Sequence, residues 1–195
     1  MSDTLIDIIR HGEPQGGRRF RGNGCDDPLS EKGWQQMWNA VGQARPWTRI
    51  VSSPMIRCRT FAEALAERHD LPLDIDERLK EVGFGSWEGR APDDIEPGEF
   101  RRFYADPVNH RPQGAEPLER FGQRVADALD AAAGHTGEHT LIVAHAGVIR
   151  ACIGHVLRAA PIHWYRTQVP NASLSRFKVG EHGLQLVYLN RTRMD

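Results

Sequence analysis

Short runs of apolar residues alternate along the chain with longer segments in which apolar residues recur every three or four positions. The short runs either are rich in β-branched residues or alternate apolar with polar side chains, and both patterns are typical of strands. The longer segments have the spacing of helices that bury one face. The predicted strands are residues 5–9, 49–53, 73–76, 140–144, 173–179 and 184–189, and the predicted helices are residues 30–44, 55–68, 117–133 and 148–157.

Strands that alternate with helices predict βαβ units and a mostly parallel sheet. We therefore expect an α/β fold, a three-layer α/β/α sandwich, with residues 1–195 in a single domain. The stretch from Gly83 to Gly98 holds four glycines and two prolines, which disfavours regular structure there. Residues 83–117 are predicted to form a small irregular cap over the ligand-binding edge of the sheet.

Composition and charge narrow the class of protein. Of the 195 residues, 39% are hydrophobic and 26% are charged, as in folded globular domains. Lys plus Arg number 25 and Asp plus Glu number 26, so the formal net charge is -1, which disfavours a nucleic-acid binder. No apolar stretch is long enough to cross a bilayer, and Cys25, Cys58 and Cys152 form no Cys-x-x-Cys pair. We expect a cytoplasmic protein that binds neither nucleic acid nor membranes.

Polar side chains follow the predicted strands at the point where each strand ends. Arg10 and His11 come directly after the first strand, and His145 follows the strand at residues 140–144. Arg57 lies one helical turn beyond the end of the strand at residues 49–53. In open α/β sheets, ligands bind at the carboxyl ends of the strands. The pattern therefore predicts one pocket that is shared by these two arginines and two histidines.

Two arginines and two imidazoles suit the chemistry of a phosphate monoester. The dianion needs charge neutralisation and guanidinium groups match phosphate oxygens, so Arg10 and Arg57 are expected to bind it. A neutral imidazole is a competent nucleophile, and arginine charge nearby lowers its pKa. The leaving alkoxide needs a proton: Glu81 is the candidate general acid, and Glu88 in the same loop is its rival. The backbone N–H of Ala146, at the start of a helix, is expected to bind phosphate as well.

The remaining histidines are not assigned to this pocket. His155 and His163 are given no role. Five others lie in polar surroundings and are expected to be exposed: His69, His110, His135, His139 and His182.

Four separated blocks of sequence resemble, in the same order, the motifs of the histidine phosphatase superfamily, also called phosphoglycerate-mutase-like. The blocks are Arg10–Glu13, Ser52–Cys58, Leu79–Gly89 and Val143–Arg150, and the resemblance covers almost the whole chain. It implies that His11 is the phosphorylated residue and that Arg57 binds phosphate. It also implies that Glu81 is the proton donor and that His145 contacts the phosphate.

One position departs from the family pattern. Many members carry an asparagine a few residues after the signature glycine, where it touches the phosphoryl group, whereas this chain has Gly16 and Gly17. Arg21, in the arginine-rich segment that follows, is the candidate to take over this contact with the substrate. The shortened Gly-Gly loop is similar to the α-ribazole phosphatase-like branch of the family.

These features predict a phosphatase that hydrolyses a small-molecule phosphate monoester through a phosphohistidine on His11, with α-ribazole 5'-phosphate as one candidate substrate. The sequence has no His-Glu-x-x-His motif or carboxylate cluster, and this chemistry requires no metal or other cofactor. Two alternatives stay open: a mutase that moves a phosphoryl group within a phosphoglycerate, and a non-catalytic phosphate-binding module. The expected partner is a small phosphorylated substrate. The oligomeric state stays open, with a homodimer among the alternatives.

Overall fold

The structure of the protein, a computed structural model, describes residues 3–194. Its helices and strands follow the predicted order, with one additional helix. The strands are β1 Leu5–Arg10, β2 Arg49–Ser52, β3 Leu73–Ile75, β4 His139–Ala144, β5 Leu174–Gly180 and β6 Gly183–Arg191. The α-helices are α1 Glu31–Val41, α2 Ile56–His69, α3 Pro97–Ala105, α4 Leu118–Ala133 and α5 Ala146–Leu157. None of the helices among residues 3–194 is long and apolar enough to cross a membrane.

The six strands form one sheet in the order β3-β2-β4-β1-β5-β6. The neighbours β3-β2, β2-β4 and β4-β1 are parallel, whereas β5 and β6 add antiparallel pairs at one side. In the parallel part, Arg10 of β1 pairs with Ala144 of β4, and Ser52 of β2 pairs with Val143. The residues that follow these three strands therefore meet at one edge of the sheet.

Apolar side chains fill both faces of the sheet. On one face, Ile8 of β1 lies in a buried cluster with residues of α4 and α5, among them Phe121 and Ile149. On the other face, Ile9 lies in a second cluster with residues of α1 and α2, among them Met37 and Phe61. Adjacent residues of β1 thus face opposite helical layers, as the pleat of a strand requires. The prediction of a three-layer α/β/α fold with a mostly parallel sheet is confirmed.

Two helix boundaries differ from the prediction. Helix α1 ends at Val41 rather than near Ala44, because Gly42 adopts a φ of 56° and its N–H donates to the Trp38 carbonyl. A positive φ at this position is a common way to end a helix. Helix α5 begins at Ala146, two residues earlier than predicted, so the helix follows His145 directly.

The segment predicted to be an irregular cap contains a helix. Helix α3 begins at Pro97, and the carboxylate of Glu96 accepts hydrogen bonds from the backbone N–H groups of Gly98 and Glu99. Pro is well tolerated at the first position of a helix, where its missing N–H has no intrahelical partner to lose. The nearby Trp87 is fully buried, and its indole N–H donates to Glu99 at 2.9 Å. The rest of residues 83–117 consists of short 3-10 helices and turns, as expected.

A buried carboxylate ties the sheet to the loop that precedes β2. Asp7 of β1 is fully buried; it accepts hydrogen bonds from the indole of Trp47 (2.8 Å) and from Arg176 (2.7 Å), and it contacts the imidazole of His139 (2.8 Å). Burial alone would raise the pKa of Asp7, but the bonds from His139 and Arg176 outweigh it and bring the pKa to about 2. His139 is therefore half-buried and not exposed as predicted, and His69 is half-buried too.

Candidate active site

The backbone after β1 lies directly on the start of α1. A Cβ atom added to Gly12 would lie 2.2 Å from the carbonyl oxygen of Gly33, so no larger residue fits without displacing the backbone. Ser30 caps α1: its Oγ accepts from the Gly33 N–H at 3.0 Å and donates to the Glu13 carbonyl at 2.9 Å. These contacts fix the turn that carries His11.

His11 is 6% exposed, and its surroundings determine both the tautomer and the charge of its imidazole. Its Nδ1 lies 2.7 Å from the carbonyl oxygen of Gly12. Because a carbonyl only accepts hydrogen bonds, Nδ1 carries the proton and Nε2 keeps a free lone pair. Burial and the charges of Arg10 and Arg57 hold the pKa of His11 well below its usual range. The ring is therefore neutral at neutral pH, the form that can attack an electrophile.

Two arginines, the buried Arg57 and the half-buried Arg10, line the same cavity as this histidine. Arg57, 1% exposed, donates from Nη1 to the Cys25 carbonyl (2.9 Å) and from Nη2 to the Gly22 carbonyl (2.8 Å). Arg10 donates from Nη1 to the Val169 carbonyl (2.6 Å), and burial lowers its pKa to about 10, which leaves it charged at neutral pH. The Nε groups of both arginines are buried without a hydrogen-bond partner among residues 3–194. An anion bound between them would satisfy donors that are otherwise costly to bury.

The carboxylate of Glu81 contacts the first turn of α5. Its Oε2 accepts from the Gly147 N–H at 3.1 Å, and its Oε1 accepts from the Val82 N–H at 2.9 Å. A Cβ atom added to Gly147 would lie 2.1 Å from Oε1, so the glycine leaves the space that the carboxylate occupies.

The rival carboxylate of Glu88 points elsewhere. Its Oε1 accepts from the Phe84 N–H at 2.9 Å, and a Cβ atom added to Gly22 or Gly24 would lie 1.9 Å from one of its oxygens. Glu88 lines a separate surface hollow and does not line the cavity that holds His11. The structure therefore places Glu81, and not Glu88, beside His11.

His145 lies behind His11 and is fully buried. The two ring centroids are 5.2 Å apart in an edge-on arrangement, and Nε2 of His145 lies 2.7 Å from the hydroxyl of Ser53. The thiol of Cys58 lies 3.6 Å from the same nitrogen. Burial, with the charge of Arg57, holds the pKa of His145 well below its usual range, so this ring is also neutral. Sequence reasoning gave Ser53 no role, although its position directly after β2 was the available signal.

A small cavity of about 110 Å³ brings these groups together. Five of the predicted site residues line it, whereas His145 and Ala146 do not. Ala146 is buried as the first residue of α5. Among residues 3–194, no group of three or more His, Cys, Asp or Glu side chains is arranged to hold a metal ion. The cavity is lined by Arg10, His11, Pro14, Arg19, Phe20, Arg21, Gly22, Arg57, Glu81 and Phe84.

Two arginines of the glycine-rich loop reach this cavity. Arg21, 8% exposed, bonds through Nε to Asp27 (2.8 Å) and through Nη2 to the Gly17 carbonyl (2.9 Å), so it holds the loop in shape while lining the cavity. Arg19 is exposed and bonds through Nε to the Gly16 carbonyl at 3.0 Å. Sequence reasoning favoured Arg21 and missed Arg19, because spacing within a loop does not reveal which side chains turn inward.

Known proteins resemble this chain over most of its length. Residues 6–192 match the model of the histidine phosphatase superfamily (branch 1). The Salmonella paratyphi B protein named "Probable phosphoglycerate mutase GpmB" is 31% identical over 184 residues, which cover 89% of this chain and 84% of that protein. The Mycobacterium tuberculosis protein named "Bifunctional protein Rv2228c" is 31% identical over 180 residues, which cover 88% of this chain. This chain spans about half (49%) of the length of that mycobacterial relative.

Solved structures share the fold over nearly the full chain. YhfR of Bacillus stearothermophilus is 26% identical with a TM-score of 0.86, covering 98% of each chain. The mycobacterial glucosyl-3-phosphoglycerate phosphatase Rv2419c is 25% identical with a TM-score of 0.83, covering 96% of this chain and 99% of the other. The α-ribazole phosphatase of Shigella flexneri, 24% identical with a TM-score of 0.81 and 98% coverage of each chain, shows the fold alone. With a family match over residues 6–192 and relatives at 31% identity, the chain belongs to the histidine phosphatase superfamily, branch 1.

Proposed function

We propose that this protein hydrolyses a phosphate monoester of a small molecule, with His11 as the nucleophile. One observation carries the proposal: a neutral His11, whose Nε2 keeps a free lone pair, lines one cavity together with Arg10, Arg57 and Glu81. A nucleophile, an anion-binding pair and a proton donor are the three parts that phosphoryl transfer from an alcohol requires.

In the first half of the reaction, Nε2 of His11 forms a bond to phosphorus and the ester P–O bond breaks. The electron pair of that bond leaves on the alcohol oxygen, which takes a proton from Glu81. Arg10 and Arg57 neutralise the charge on the phosphoryl oxygens throughout. His145 does not line the cavity; its ring lies 5.2 Å from that of His11 and supports the nucleophile from behind.

In the second half, water attacks the phosphorus of the phosphohistidine. Glu81, now ionised, takes a proton from that water, and the N–P bond breaks with its electron pair returning to His11. Inorganic phosphate leaves, and the imidazole is neutral again. The proton that Glu81 donated in the first half is thereby restored.

The substrate extends beyond the cavity. At about 110 Å³ the cavity is smaller than most small-molecule sites, so it suits the phosphoryl group, with the leaving group at the mouth. Four further residues line the same cavity and are proposed to contact that group: Arg19, Phe20, Arg21 and Phe84. α-Ribazole 5'-phosphate is the first candidate to test, within a panel that also holds sugar phosphates and phosphoglycerates.

A mutase is the second candidate, because a relative at 31% identity is named as a phosphoglycerate mutase. The two candidates differ in where the phosphoryl group goes. Release of inorganic phosphate from a phosphoglycerate, without a bisphosphorylated activator, would indicate the phosphatase. Interconversion of 2- and 3-phosphoglycerate without such release would indicate the mutase.

The decisive experiment is to trap the covalent intermediate. Rapid acid-free quenching with a labelled substrate should give a phosphoprotein whose label is acid-labile, base-stable and located on His11. His11→Ala should abolish the label and lower turnover by about 10³-fold or more. His182→Ala, in the exposed turn between β5 and β6, is the matched control and should behave as the wild type. Undiminished turnover by His11→Ala would refute the proposal, and tight phosphate binding without turnover of any ester would indicate a binding module.

A further inference from the structure

The backbone that carries Glu81 is held by an arginine of α4. Arg124 donates from Nη1 to the carbonyl oxygens of Arg78 (2.6 Å) and Lys80 (2.7 Å). Its Nη2 donates to the carbonyl oxygen of Glu81 itself at 3.2 Å. One guanidinium group thus binds three carbonyls within four consecutive residues.

A second carboxylate fixes that guanidinium. Glu116 accepts from Nε and Nη2 of Arg124, each at 2.8 Å, in the two-point geometry that is strongest for this pair. Burial alone would raise the pKa of Glu116, but the bonds from Arg124 outweigh it and hold the pKa below its usual range. The same carboxylate accepts from the Gly83 N–H at 3.2 Å. The ring of Phe121, one turn before on α4, lies 4.7 Å below the guanidinium.

These bonds matter because residues 81–84 belong to no helix or strand. A segment without regular structure lacks the ladder of backbone bonds that would otherwise hold it in place. The Arg124–Glu116 pair supplies bonds on both sides of Glu81, from the carbonyl of Arg78 to the N–H of Gly83. Neither side chain of the pair lines the cavity.

We propose that Arg124 and Glu116 are positioning residues that set where the Glu81 carboxylate stands relative to the leaving oxygen. The proposal rests on the proposed function, in which Glu81 is the general acid. Displacing a catalytic group by about 1 Å is enough to lose most of its contribution. Loss of the pair should therefore damage proton donation, while the anion-binding arginines on other elements keep their geometry.

The test measures kcat/KM of Arg124→Gln against a series of phosphate esters, from p-nitrophenyl phosphate to simple alkyl phosphates. An aryl oxyanion departs without a proton, so kcat/KM for the aryl ester should fall by less than about 3-fold. For alkyl esters, kcat/KM should fall by about 10-fold or more. The inhibition constant of inorganic phosphate should stay unchanged, because no hydrogen bond joins Arg10 or Arg57 to the pair.

Two further variants sharpen this test. Arg101→Gln makes the same chemical change at an exposed position of another helix, α3, and should leave all values unchanged. Glu116→Gln keeps the shape of the side chain but replaces one accepting oxygen with an NH2 donor, so one bond from Arg124 is lost. It should show the same dependence on the leaving group, with a smaller loss of kcat/KM. It carries the test by itself if Arg124→Gln does not fold.

The outcomes separate the two proposals. A loss that is equal for aryl and alkyl esters, or weaker binding of inorganic phosphate, would assign the pair a general structural role and overturn the inference. Glu81→Gln is measured in the same series and should show the steepest dependence on the leaving group. If the loss of kcat/KM in Glu81→Gln depends strongly on the leaving group while the losses in both pair variants do not, only the positioning inference fails. If the loss of kcat/KM in Glu81→Gln does not depend on the leaving group, the assignment of Glu81 as general acid fails.

Discussion

At the scale of single residues, Gly147 matters because it has no side chain. A glycine at this position leaves room for the carboxylate of Glu81. An added methyl group would lie 2.1 Å from Oε1 of Glu81, and a flexible side chain yields before the backbone of a helix does. The substitution should therefore move the acid without disturbing the fold.

We predict that Gly147→Ala lowers kcat/KM for alkyl phosphates by about 10-fold or more, since general acid assistance is lost. Thermal stability should stay the same or rise slightly, because alanine favours helix over glycine by up to about 1 kcal/mol. Gly134→Ala, at the end of α4 with an ordinary helical φ of -68°, is the control and should retain activity. Full activity of Gly147→Ala on alkyl esters would contradict the placement of the acid.

The state of His11 gives a prediction about pH. Burial and neighbouring arginines lower its pKa, so the neutral ring should persist as the pH falls through 6.5, where an ordinary histidine gains a proton. Because the unfolded chain gains that proton first, this residue lowers the stability of the folded state progressively below about pH 6.5. Ring ¹⁵N shifts in NMR should show His11 neutral with its proton on Nδ1 at pH 6. Protonation of the His11 ring near pH 6.5, where an ordinary histidine gains a proton, would contradict the prediction.

The edge of the sheet that carries the site was predictable from the sequence, but not every side chain that lies there was. The strand-end pattern predicted one pocket for Arg10, His11, Arg57 and His145. The first three line the cavity, whereas His145 lies behind it. Choosing between Glu81 and Glu88 required a family motif, because both lie in one irregular loop and only the path of the backbone separates them. Arg124 was unremarkable in sequence, since a polar residue on an amphipathic helix is usually solvated.

At the scale of elements, α3 shows what local patterns miss. Pro97 and Gly98 read as breakers after a glycine-rich stretch, yet a proline preceded by a capping carboxylate begins the helix. What holds α3 in place is distant in sequence: Phe103 is fully buried, with its ring centroid 5.0 Å from that of Trp87 and 5.0 Å from that of Tyr165. Such contacts have no period along the chain and cannot be derived from it.

We predict that Phe103→Ala lowers the free energy of unfolding by about 3–5 kcal/mol, the usual result of emptying a buried aromatic site. Its neighbour Tyr104 is 46% exposed, so Tyr104→Ala should cost clearly less and serves as the control. Urea unfolding followed by tryptophan fluorescence measures both. If both variants lose the same free energy of unfolding, the buried ring of Phe103 does not hold α3 in place.

At the scale of the whole molecule, Asp7 joins segments that are far apart in sequence. The contact with His139 spans 132 residues and that with Arg176 spans 169. Polar neighbours made His139 look exposed, because sequence shows what flanks a residue and not what crosses the sheet to meet it. The overall fold was predictable from alternating patterns, whereas this buried polar junction was not.

The pKa of Asp7 is about 2 in the folded protein and 3.8 is the ordinary value, so its ionisation stabilises the fold above about pH 4. This contribution, about 2 kcal/mol, should disappear as the pH falls from 4 to 2. Asp7→Asn should therefore have a much lower free energy of unfolding than the wild type at pH 7. At low pH, the difference in free energy of unfolding between the two proteins should be smaller by about 2 kcal/mol. Asp3→Asn, in an exposed pair with Lys178, is the control and should show no such narrowing. A pH-independent difference for Asp7→Asn would contradict the prediction.

The lining of the cavity also governs how a substrate arrives. Four arginines line it on a molecule whose formal net charge is only -1, so positive charge is concentrated at this point. The proposed substrate, a phosphate dianion, is attracted by such a cluster of positive charge. Because mobile ions screen such attraction within about 10 Å at ordinary salt, the rate of substrate capture declines as ionic strength rises. Turnover at saturating substrate, which no longer depends on encounter, is left unaffected.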